Sequence, residues 1–340
     1  MKKEDFILEP RNKYNYNADP KKFYDIIIIG MGIVGFSTAM YASRLGLKVL
    51  IIGESVGGTL ALTDNVENWP GIVSTSGMKL AQLVEAHAKD YPINILTARV
   101  ESVEKIKKSE KINFKIKTKD KSFTGKAIVF ATGTKVRELN VDGEKEFKGK
   151  GVSYCGLCDG PLFKDKIIGI VGGNDSAVKE ALLLSKYAKK VYIIYRKEKP
   201  RAEPINMIRL DKKIKEKKIE VINNTNIIEI KGDKSMTKVV FDKSYRGKKE
   251  FSLQGLFIYI GHIPLSDLAK KLGVKLNDKS EIIINRNSET NIKGVYAAGD
   301  VTDTEFKQAI TGSAEGVTAA YHAYEYVNKG EFVLPCDECE

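Results

Sequence analysis

The chain has 340 residues, of which 42% are hydrophobic and 29% are charged, and its formal net charge is +12 at neutral pH. This size and composition allow two globular domains and exclude a disordered or fibrous protein. The lysines are interspersed singly with glutamate and aspartate, which favours a solvated basic surface over a nucleic-acid-binding patch. The longest apolar runs, such as IIIIG, fall far short of the roughly 20 residues that cross a bilayer, so we expect no membrane partner.

Residues 1–23 form an N-terminal extension that is polar and carries acidic residues near its start. Secretory signals and transit peptides have a different composition, so we expect a cytoplasmic protein. Paired cysteines in a reducing compartment are more often catalytic or metal-binding than structural.

The first motif is YDIIIIGMGIVGFSTAMYASRLGLKVLIIGE, which predicts a buried strand, a glycine turn, a helix and a second strand that reaches Glu54. Gly30, Gly32 and Gly35 have the spacing at which a dinucleotide fold needs a tight turn, close approach to a pyrophosphate and close packing of helix on strand. Glu54 follows 24 residues after Gly30, where an acid can bind a ribose. This stretch therefore predicts a dinucleotide site.

Two cysteines stand three positions apart in VSYCGLCDGP, as Cys155 and Cys158. They could be a disulfide catalyst, half of a metal site or an incidental pair. We expect the second cysteine to open a helix, whose amide dipole favours a thiolate and lowers the thiol pKa. The other pair, Cys336 and Cys339, lies roughly 180 residues further on, against about 15–20 in zinc ribbons, so we predict no metal.

A second strand, glycine turn, helix and strand follow in KIIGIVGGNDSAVKEALLLSKYAKKVYIIYRK, with Gly172, Gly173 and Asn174 at the turn. The chain therefore binds two dinucleotides, or one dinucleotide beside a degenerate site, because Asn174 replaces an expected glycine and no acid ends the second strand. Three cations follow that strand, where they accommodate the 2′-phosphate of NADPH, with a solvated basic loop as the alternative. They are Arg196, Lys197 and Arg201.

The last motif is GVYAAGD, a predicted strand that brings Asp300 to a turn before a helix of small residues from about Lys307. An acid at a strand end and helix N-terminal amides suit the ribityl and pyrophosphate groups of a flavin. Beyond it, residues 331–340 form a tail in which acidic residues surround Cys336 and Cys339 and disfavour a thiolate. The tail is either an incidental or metal-scavenging segment or an electron relay, and we favour the former.

Together these motifs resemble those of the low-molecular-weight thioredoxin reductases, a family of two-dinucleotide-binding flavoproteins. The resemblance runs from about Tyr24 to Val327 and is most specific at VSYCGLCDG, because the cysteine pair and its following aspartate lie just ahead of the second dinucleotide strand. Further matching segments are GMGIVG, GGTLALTDNVENWPG, FATGT, VGGNDSA, YRKEKPRA, YIGHIP and GVYAAGDV.

The resemblance implies an α/β fold with two Rossmann-like dinucleotide-binding domains, in which the NADPH domain is inserted into a discontinuous FAD domain. The expected FAD domain comprises residues 24–133 and 262–330. The expected NADPH domain comprises residues 138–258 and carries the cysteine pair.

Site residues are also implied by the resemblance. FAD is expected at Gly30, Gly32, Gly35, Glu54, Gly58, Thr59, Asn68, Gly133, Asp300, Gln308 and Ala309. NADPH is expected at Gly172, Gly173, Asp175, Ser176, Ala177, Arg196, Lys197 and Arg201. The chain departs from the usual family residues at four positions: Val34 replaces Pro, Thr59 replaces Gln, Asn174 replaces Gly and Tyr195 replaces His.

The implied activity is that of a thioredoxin-disulfide reductase, in which electrons pass from NADPH through FAD to a Cys155–Cys158 disulfide and then to a thioredoxin or glutaredoxin-like protein. Cys158 is expected against the flavin, Cys155 attacks the protein substrate, and Asp159 protonates the departing thiolate. The resemblance also implies a homodimer. The alternatives are a reductase of the same fold fed by ferredoxin or a deazaflavin, and a flavin redox sensor without turnover.

Overall fold

The computed structural model describes residues 10–63, 66–108 and 111–329, which form two compact units. The first unit is assembled from two separate pieces of chain, Met1–Lys135 and Pro264–Glu340, and the second unit is Val136–Ile263. The predicted α/β fold, with one unit inserted into a discontinuous other unit, is confirmed. The predicted tail 331–340, with Cys336 and Cys339, lies outside the described residues, as do residues 1–9 of the extension.

The first piece of the first unit opens on a strand of isoleucines, a β-branched residue that favours strands. Ile26 and Ile28 face one apolar cluster and Ile27 and Ile29 face another, so the strand is buried on both sides, as in parallel sheets covered by helices. Its elements are β1 Phe23–Ile29, α1 Ile33–Arg44, β2 Val49–Gly53, α2 Gly77–Lys89, β3 Ile93–Thr97, β4 Val100–Lys108, β5 Lys111–Thr118 and β6 Ser122–Phe130.

Two short strands, one at each boundary of the second unit, connect it to the first unit. The elements of this stretch are β7 Thr134–Val136, β8 Val152–Ser153, α3 Gly156–Asp159, β9 Ile167–Val171, α4 Asp175–Leu184, β10 Lys190–Ile194, α5 Pro204–Lys215, β11 Ile219–Ile222, β12 Ile227–Gly232, β13 Met236–Tyr245, β14 Lys248–Ser252, β15 Gly255–Ile258 and β16 His262–Pro264. Its main sheet is parallel in the order β11-β10-β9-β15-β8, and β12, β13 and β14 form a separate antiparallel meander.

The chain then returns to the first unit, where it completes the sheet and covers it. The elements of this second piece are α6 Asp267–Leu272, β17 Val295–Ala297 and α7 Ala309–Val327. The parallel part of the sheet has the order β3-β2-β1-β6-β17, and the β4–β5 hairpin extends it antiparallel from β6. In each unit, the strand at the centre of the parallel sheet, β1 in the first and β9 in the second, has a glycine turn at its carboxyl end.

The described part of the N-terminal extension packs against the first unit rather than ending as a solvated tail. The side chain and backbone N–H of Arg11 both donate to the carboxylate of Asp90, which ends α2. The Tyr16 hydroxyl donates to the Lys89 carbonyl at 2.7 Å, and the Tyr16 carbonyl accepts the Ile95 N–H, also at 2.7 Å. The extension thus lies along β3.

Hydrophobic helices of membrane-spanning length are not found among the described residues.

Candidate functional site

The first glycine turn lies between β1 and α1. A Cβ on Gly30 would lie 2.1 Å from the carbonyl oxygen of Ala131, and its φ of +121° also favours glycine. A Cβ on Gly35 would lie 1.9 Å from the Gly30 carbonyl oxygen, so glycine is needed there for the helix to approach the strand. A Cβ on Gly32 would meet nothing within 4 Å, which leaves the helix N-terminus open to a ligand.

Two glycines in the segment after β2, Gly57 and Gly58, lie against this turn. Gly57, which sequence reasoning did not single out, bridges to Gly32, and a Cβ on Gly58 would lie 3.5 Å from the Gly32 Cα. Thr59 follows in a short 3-10 helix, and Glu54 is exposed directly after β2. The structure therefore brings four sequence-predicted residues to one edge of the sheet: Gly32, Glu54, Gly58 and Thr59.

The turn that carries Asp300 packs against the start of α1. Val34 Cγ2 lies 2.8 Å from the position of a Cβ on Gly299, so the turn needs glycine at its closest approach. Glu315 on α7 accepts the Gly299 N–H at 2.8 Å, and Lys307 Nζ donates to the Asp300 carbonyl at 3.1 Å. Sequence reasoning missed Glu315, because its role depends on contact between a helix and a turn distant in the chain.

Two amide side chains meet at the beginning of α7. Asn68 Nδ2 donates to Gln308 Oε1 at 3.0 Å, although the residues are 240 positions apart. Gln308 is the N-cap of α7 and Ala309 its first residue. Gly133 lies after β6 with a φ of +63°. All eleven residues expected at FAD thus belong to the first unit.

The cysteine pair lies in the second unit and forms a disulfide, with a Cα separation of 5.3 Å. Cys155, not Cys158, opens helix α3, because Cys155 has an extended backbone and Gly156 is the first helical residue. The expectation that the second cysteine opens the helix was therefore wrong. The Cys158 N–H donates to Cys155 Sγ at 3.1 Å, so it is the first sulfur that receives a backbone amide.

Asp159 is held beside the disulfide by a serine that sequence reasoning missed. Ser153 Oγ donates to Asp159 Oδ2 at 2.6 Å and accepts the Cys155 N–H at 3.1 Å. The Asp159 N–H in turn donates to the Cys155 carbonyl at 3.1 Å. These bonds fix the carboxyl group at the redox-active turn, which we define as residues 153–159.

The second glycine turn repeats the geometry of the first with one change. Gly172 has a φ of +139°, and its Cβ would lie 2.2 Å from the Tyr259 carbonyl oxygen. Asn174 takes the place of Gly32, with φ and ψ of −83° and 178° against −76° and −178°. Its Oδ1 accepts the Ala177 N–H at 3.0 Å, so its side chain caps the helix where the first turn is open.

The profile of the pyridine nucleotide-disulphide oxidoreductases matches residues 24–316. The chain belongs to this family. Thioredoxin reductase of Bacillus subtilis is 35% identical over 312 residues, which cover 91% of this chain and 96% of that protein. The crystal structure of T. acidophilum thioredoxin reductase is 37% identical, with a TM-score of 0.82, and the match covers 90% of this chain and 99% of that one.

Lactococcus lactis thioredoxin reductase gives a similar match, with 35% identity, a TM-score of 0.82, and coverage of 90% of this chain and 99% of that chain. The resemblance to low-molecular-weight thioredoxin reductases is confirmed by these relatives. Membership of the family implies that the protein uses a flavin and a pyridine nucleotide.

The remaining residues expected at the pyridine nucleotide surround the second glycine turn. Asp175 Oδ1 accepts the Glu203 N–H at 2.9 Å, and the Arg201 N–H donates to the Gly173 carbonyl at 2.6 Å. Ser176 is exposed in the first turn of α4. These contacts attach the segment after β10, which carries the three cations, to the glycine turn.

The three cations of this loop are exposed, and in the part of the chain that the structure describes they make no ion pair. The ring of Tyr195, which precedes them, lies 2.5 Å from the position of a Cβ on Gly173, so glycine is required beneath it. A basic loop without carboxylate partners, beside a glycine turn, suits a ligand with a phosphate group. The cations are Arg196, Lys197 and Arg201.

Proposed function

We propose that this protein is a thioredoxin reductase that passes electrons from NADPH, through FAD, to the Cys155–Cys158 disulfide and from there to a thioredoxin or glutaredoxin-like protein. The observation that carries the proposal is the disulfide on its short helix, held in a unit of dinucleotide-binding topology within a chain that aligns over its length with thioredoxin reductases. We place the reaction in the cytoplasm.

FAD is assigned to the first unit, with a domain of residues 24–133 and 262–330. The open space at Gly32 fits a pyrophosphate at the N-terminus of α1, and the exposed carboxylate of Glu54 fits a ribose. The amide groups of Asn68 and Gln308 provide donors and acceptors close together at the start of α7. These features support FAD over a smaller flavin, because a pyrophosphate and ribose are present only in the dinucleotide.

NADPH is assigned to the second unit, with a domain of residues 138–258. Arg196, Lys197 and Arg201 support NADPH over NADH, because only NADPH carries a 2′-phosphate to pair with them. The attachment of Arg201 to the Gly173 carbonyl supports a single site for the pyrophosphate and the 2′-phosphate.

When bound, FAD supplies the two-electron relay between a nicotinamide and a disulfide. Two electrons and two protons convert the Cys155–Cys158 disulfide into two thiols. The Cys158 amide beside Cys155 Sγ favours a thiolate at Cys155, which attacks one sulfur of the partner disulfide and displaces the other. Asp159 gives a proton to the displaced thiolate and takes one from Cys158. The Cys158 thiolate then attacks Cys155 Sγ of the mixed disulfide, which breaks the bond to the partner sulfur, restores the enzyme disulfide and releases the partner's second thiolate to take up a proton.

The proposal is tested by anaerobic titration of the holoenzyme, followed by addition of oxidised thioredoxin. We expect stoichiometric NADPH, and not NADH, to bleach the flavin absorbance band, and thioredoxin to be reduced catalytically. The double variant Arg196→Ala with Arg201→Ala should weaken NADPH much more than NADH, whereas the control Lys212→Ala with Lys215→Ala on α5 should change neither. Equal weakening of both nucleotides would contradict the assignment of the basic loop.

A second candidate is a reductase of the same fold with another electron donor, such as ferredoxin or a deazaflavin. The observation that favours it is the side chain of Asn174, which fills the place of the glycine that remains open in the first turn. Failure of both NADPH and NADH to bleach the flavin, with thioredoxin still reduced by a chemically reduced enzyme, would select this candidate.

A further inference from the structure

A tyrosine hydroxyl also binds the backbone of the redox-active turn. Tyr259 directly follows β15, and its hydroxyl oxygen accepts the Gly156 N–H at 2.8 Å. Gly156 lies between the cysteines, so this bond fixes the backbone that carries both sulfurs. Burial, followed by the negative charge of Glu180, raises the pKa of Tyr259 well above its usual value. The hydroxyl therefore keeps its proton at neutral pH.

A carboxylate on α4, that of Glu180, lies close to this hydroxyl. After burial, its negative charge is the largest cause of the raised Tyr259 pKa. Glu180 Oε2 lies 2.1 Å from the position that a Cβ on Gly156 would occupy, so the carboxylate packs directly against the glycine backbone. Any larger residue at position 156 would displace it. Both groups therefore meet the backbone of Gly156: the Tyr259 oxygen accepts its N–H, and the Glu180 carboxylate packs against it.

The backbone of Tyr259 is fixed as firmly as its side chain. Its N–H donates to the Val171 carbonyl at 2.8 Å, and its carbonyl oxygen contacts Gly172, where a Cβ would lie only 2.2 Å away. Glu180 lies one helical turn beyond Ala177, the residue whose N–H Asn174 caps. The carboxylate is thus carried by a helix, and the hydroxyl by a residue whose backbone is anchored at the end of β15.

Asp159 and Tyr187 are further titratable groups at or beside the turn. Asp159 lies on the turn itself and is bonded to Ser153, and the ring of Tyr187 packs against Gly160, 3.4 Å from the position of a Cβ there. Tyr259 is close enough to Asp159 for that carboxylate to contribute to its raised pKa. A thiolate formed at Cys155 therefore has two carboxylates nearby, one on the turn and one on α4.

We propose that Tyr259 and Glu180 are a positioning pair for the redox-active turn, which controls the reactivity of the Cys155 thiolate in the reduced enzyme. Tyr259 keeps the turn in the geometry that aims the Cys158 N–H at Cys155 Sγ, a bond that is stronger to a thiolate than to a neutral sulfur. Glu180 opposes it, because a carboxylate packed against Gly156, the residue next to Cys155, disfavours a second negative charge there. The two residues therefore act on the Cys155 thiol in opposite directions.

The experiment measures the alkylation rate of each cysteine by iodoacetamide in the reduced holoenzyme, read by peptide mass spectrometry across about pH 5–10. Glu180→Gln keeps the shape of the side chain and removes its charge, so the apparent pKa of Cys155 should fall by about 0.5–1 unit. Tyr259→Phe removes the hydroxyl that holds Gly156, so the same pKa should rise. The control Glu216→Gln, at a surface pair with Lys213, should leave it unchanged.

Opposite shifts in the two variants would support the positioning pair, since a purely structural role predicts loss of stability and no opposed change in thiol pKa. Shifts in the same direction, or no shift in either variant, would overturn it. The inference rests on the proposed redox role of Cys155 and Cys158. The two failures can be told apart. If the thiol pKa values are unchanged in both variants while thioredoxin is still turned over, only the positioning pair is contradicted. If the wild-type enzyme does not turn over thioredoxin, the proposed function is contradicted.

Discussion

Cys155 and Cys158 have different surroundings within one turn. Cys155 is half-buried and its sulfur accepts a backbone N–H, whereas Cys158 is exposed. We predict that Cys158→Ser retains FAD and is still bleached by NADPH, because the residues assigned to bind FAD and NADPH do not include Cys158. Disulfide turnover should be lost, and Cys155 should remain trapped in a mixed disulfide with thioredoxin, since nothing displaces it.

Turnover assays and non-reducing gels measure these outcomes. Cys155→Ser is the matched control, and it should form no such adduct if Cys155 is the attacking thiol. Turnover near the wild-type rate in Cys158→Ser would remove this residue from the mechanism.

Asp159 depends on Ser153 for its orientation, which gives a graded test. For Asp159→Asn we predict a thiol step slower by about 10²–10⁴, the usual contribution of a general acid or base, with bleaching by NADPH intact. Ser153→Ala should give a smaller loss, because the carboxyl remains but one of its hydrogen bonds is removed. Stopped-flow measurement of flavin reduction and of thioredoxin reduction separates the two steps. Slowed flavin reduction in Asp159→Asn would place the residue elsewhere in the reaction.

Among single residues, the sequence predicted those that belong to short motifs with a known chemical role. The glycines at positions 30 and 172 have the positive φ and close backbone contacts that their spacing indicated. Ser153 lies only two residues before Cys155, but serine is too common for its position to mark a role. Tyr259 could not be predicted, because it reaches the turn by way of a strand about 100 residues further along the chain.

Among the elements, α4 differs from α1 by its N-cap. Replacement of an Asn N-cap by Ala costs about 0.5–2 kcal/mol, and replacement by Gly costs only a few tenths. We therefore predict that Asn174→Ala lowers the melting temperature while Asn174→Gly changes it little. Asn174→Gly should also bind NADPH more tightly, because it frees the Ala177 N–H and clears space for a pyrophosphate. Thermal melts and equilibrium titrations test the pair, and weaker NADPH binding in Asn174→Gly would contradict the steric argument.

The attachment of the N-terminal extension to α2 gives a prediction that depends on pH. Arg11 beside Asp90 holds the pKa of that carboxyl below its usual value, chiefly through their hydrogen bond. A lowered folded pKa means that the stabilisation is complete above the unfolded pKa of about 4 and is lost as pH falls through the folded value. Asp90→Asn should therefore lower the melting temperature by roughly 2–4 °C at neutral pH, and the difference should shrink toward about pH 3.

Thermal melts of wild type and Asp90→Asn at a series of pH values measure this difference. Glu104→Gln, at a surface pair with Lys117 on neighbouring strands, is the control for general effects of charge. A difference that grows as the pH falls would have the wrong sign and would contradict the Arg11–Asp90 contact.

The elements show where local patterns are insufficient. The strands and helices of both dinucleotide motifs were predictable, because buried isoleucine runs and glycine turns are local signals. The start of α3 was misplaced by pattern alone, since a four-residue helix has no periodicity and its first residue depends on the backbone of Cys155. The extension's contacts join Arg11 to a residue 79 positions away, and its polar composition gives no sign of them.

For the whole molecule, the resemblance implies a homodimer. We predict that the holoenzyme sediments with twice the 37.8 kDa mass of the chain at micromolar concentration. Analytical ultracentrifugation over a dilution series measures the mass and its concentration dependence. A single species with the mass of one chain at every concentration would contradict the prediction. The sequence also predicted that both units contain a strand, a glycine turn, a helix and a second strand. It did not show that a side chain caps the helix after the second turn and none caps the helix after the first.

The first unit is built from the two ends of the chain, and this has a consequence for its synthesis on the ribosome. Ile26 and Ile28 of β1 belong to the same apolar cluster as Ala319, Ala320 and Ala323 of α7, near the end of the described chain. At about 5–20 residues per second, the ribosome takes on the order of tens of seconds to make the intervening chain. The second unit is continuous and can fold during that interval. The nascent first unit meanwhile keeps an apolar face without its final helix, so it is the half of the molecule that most needs protection by chaperones.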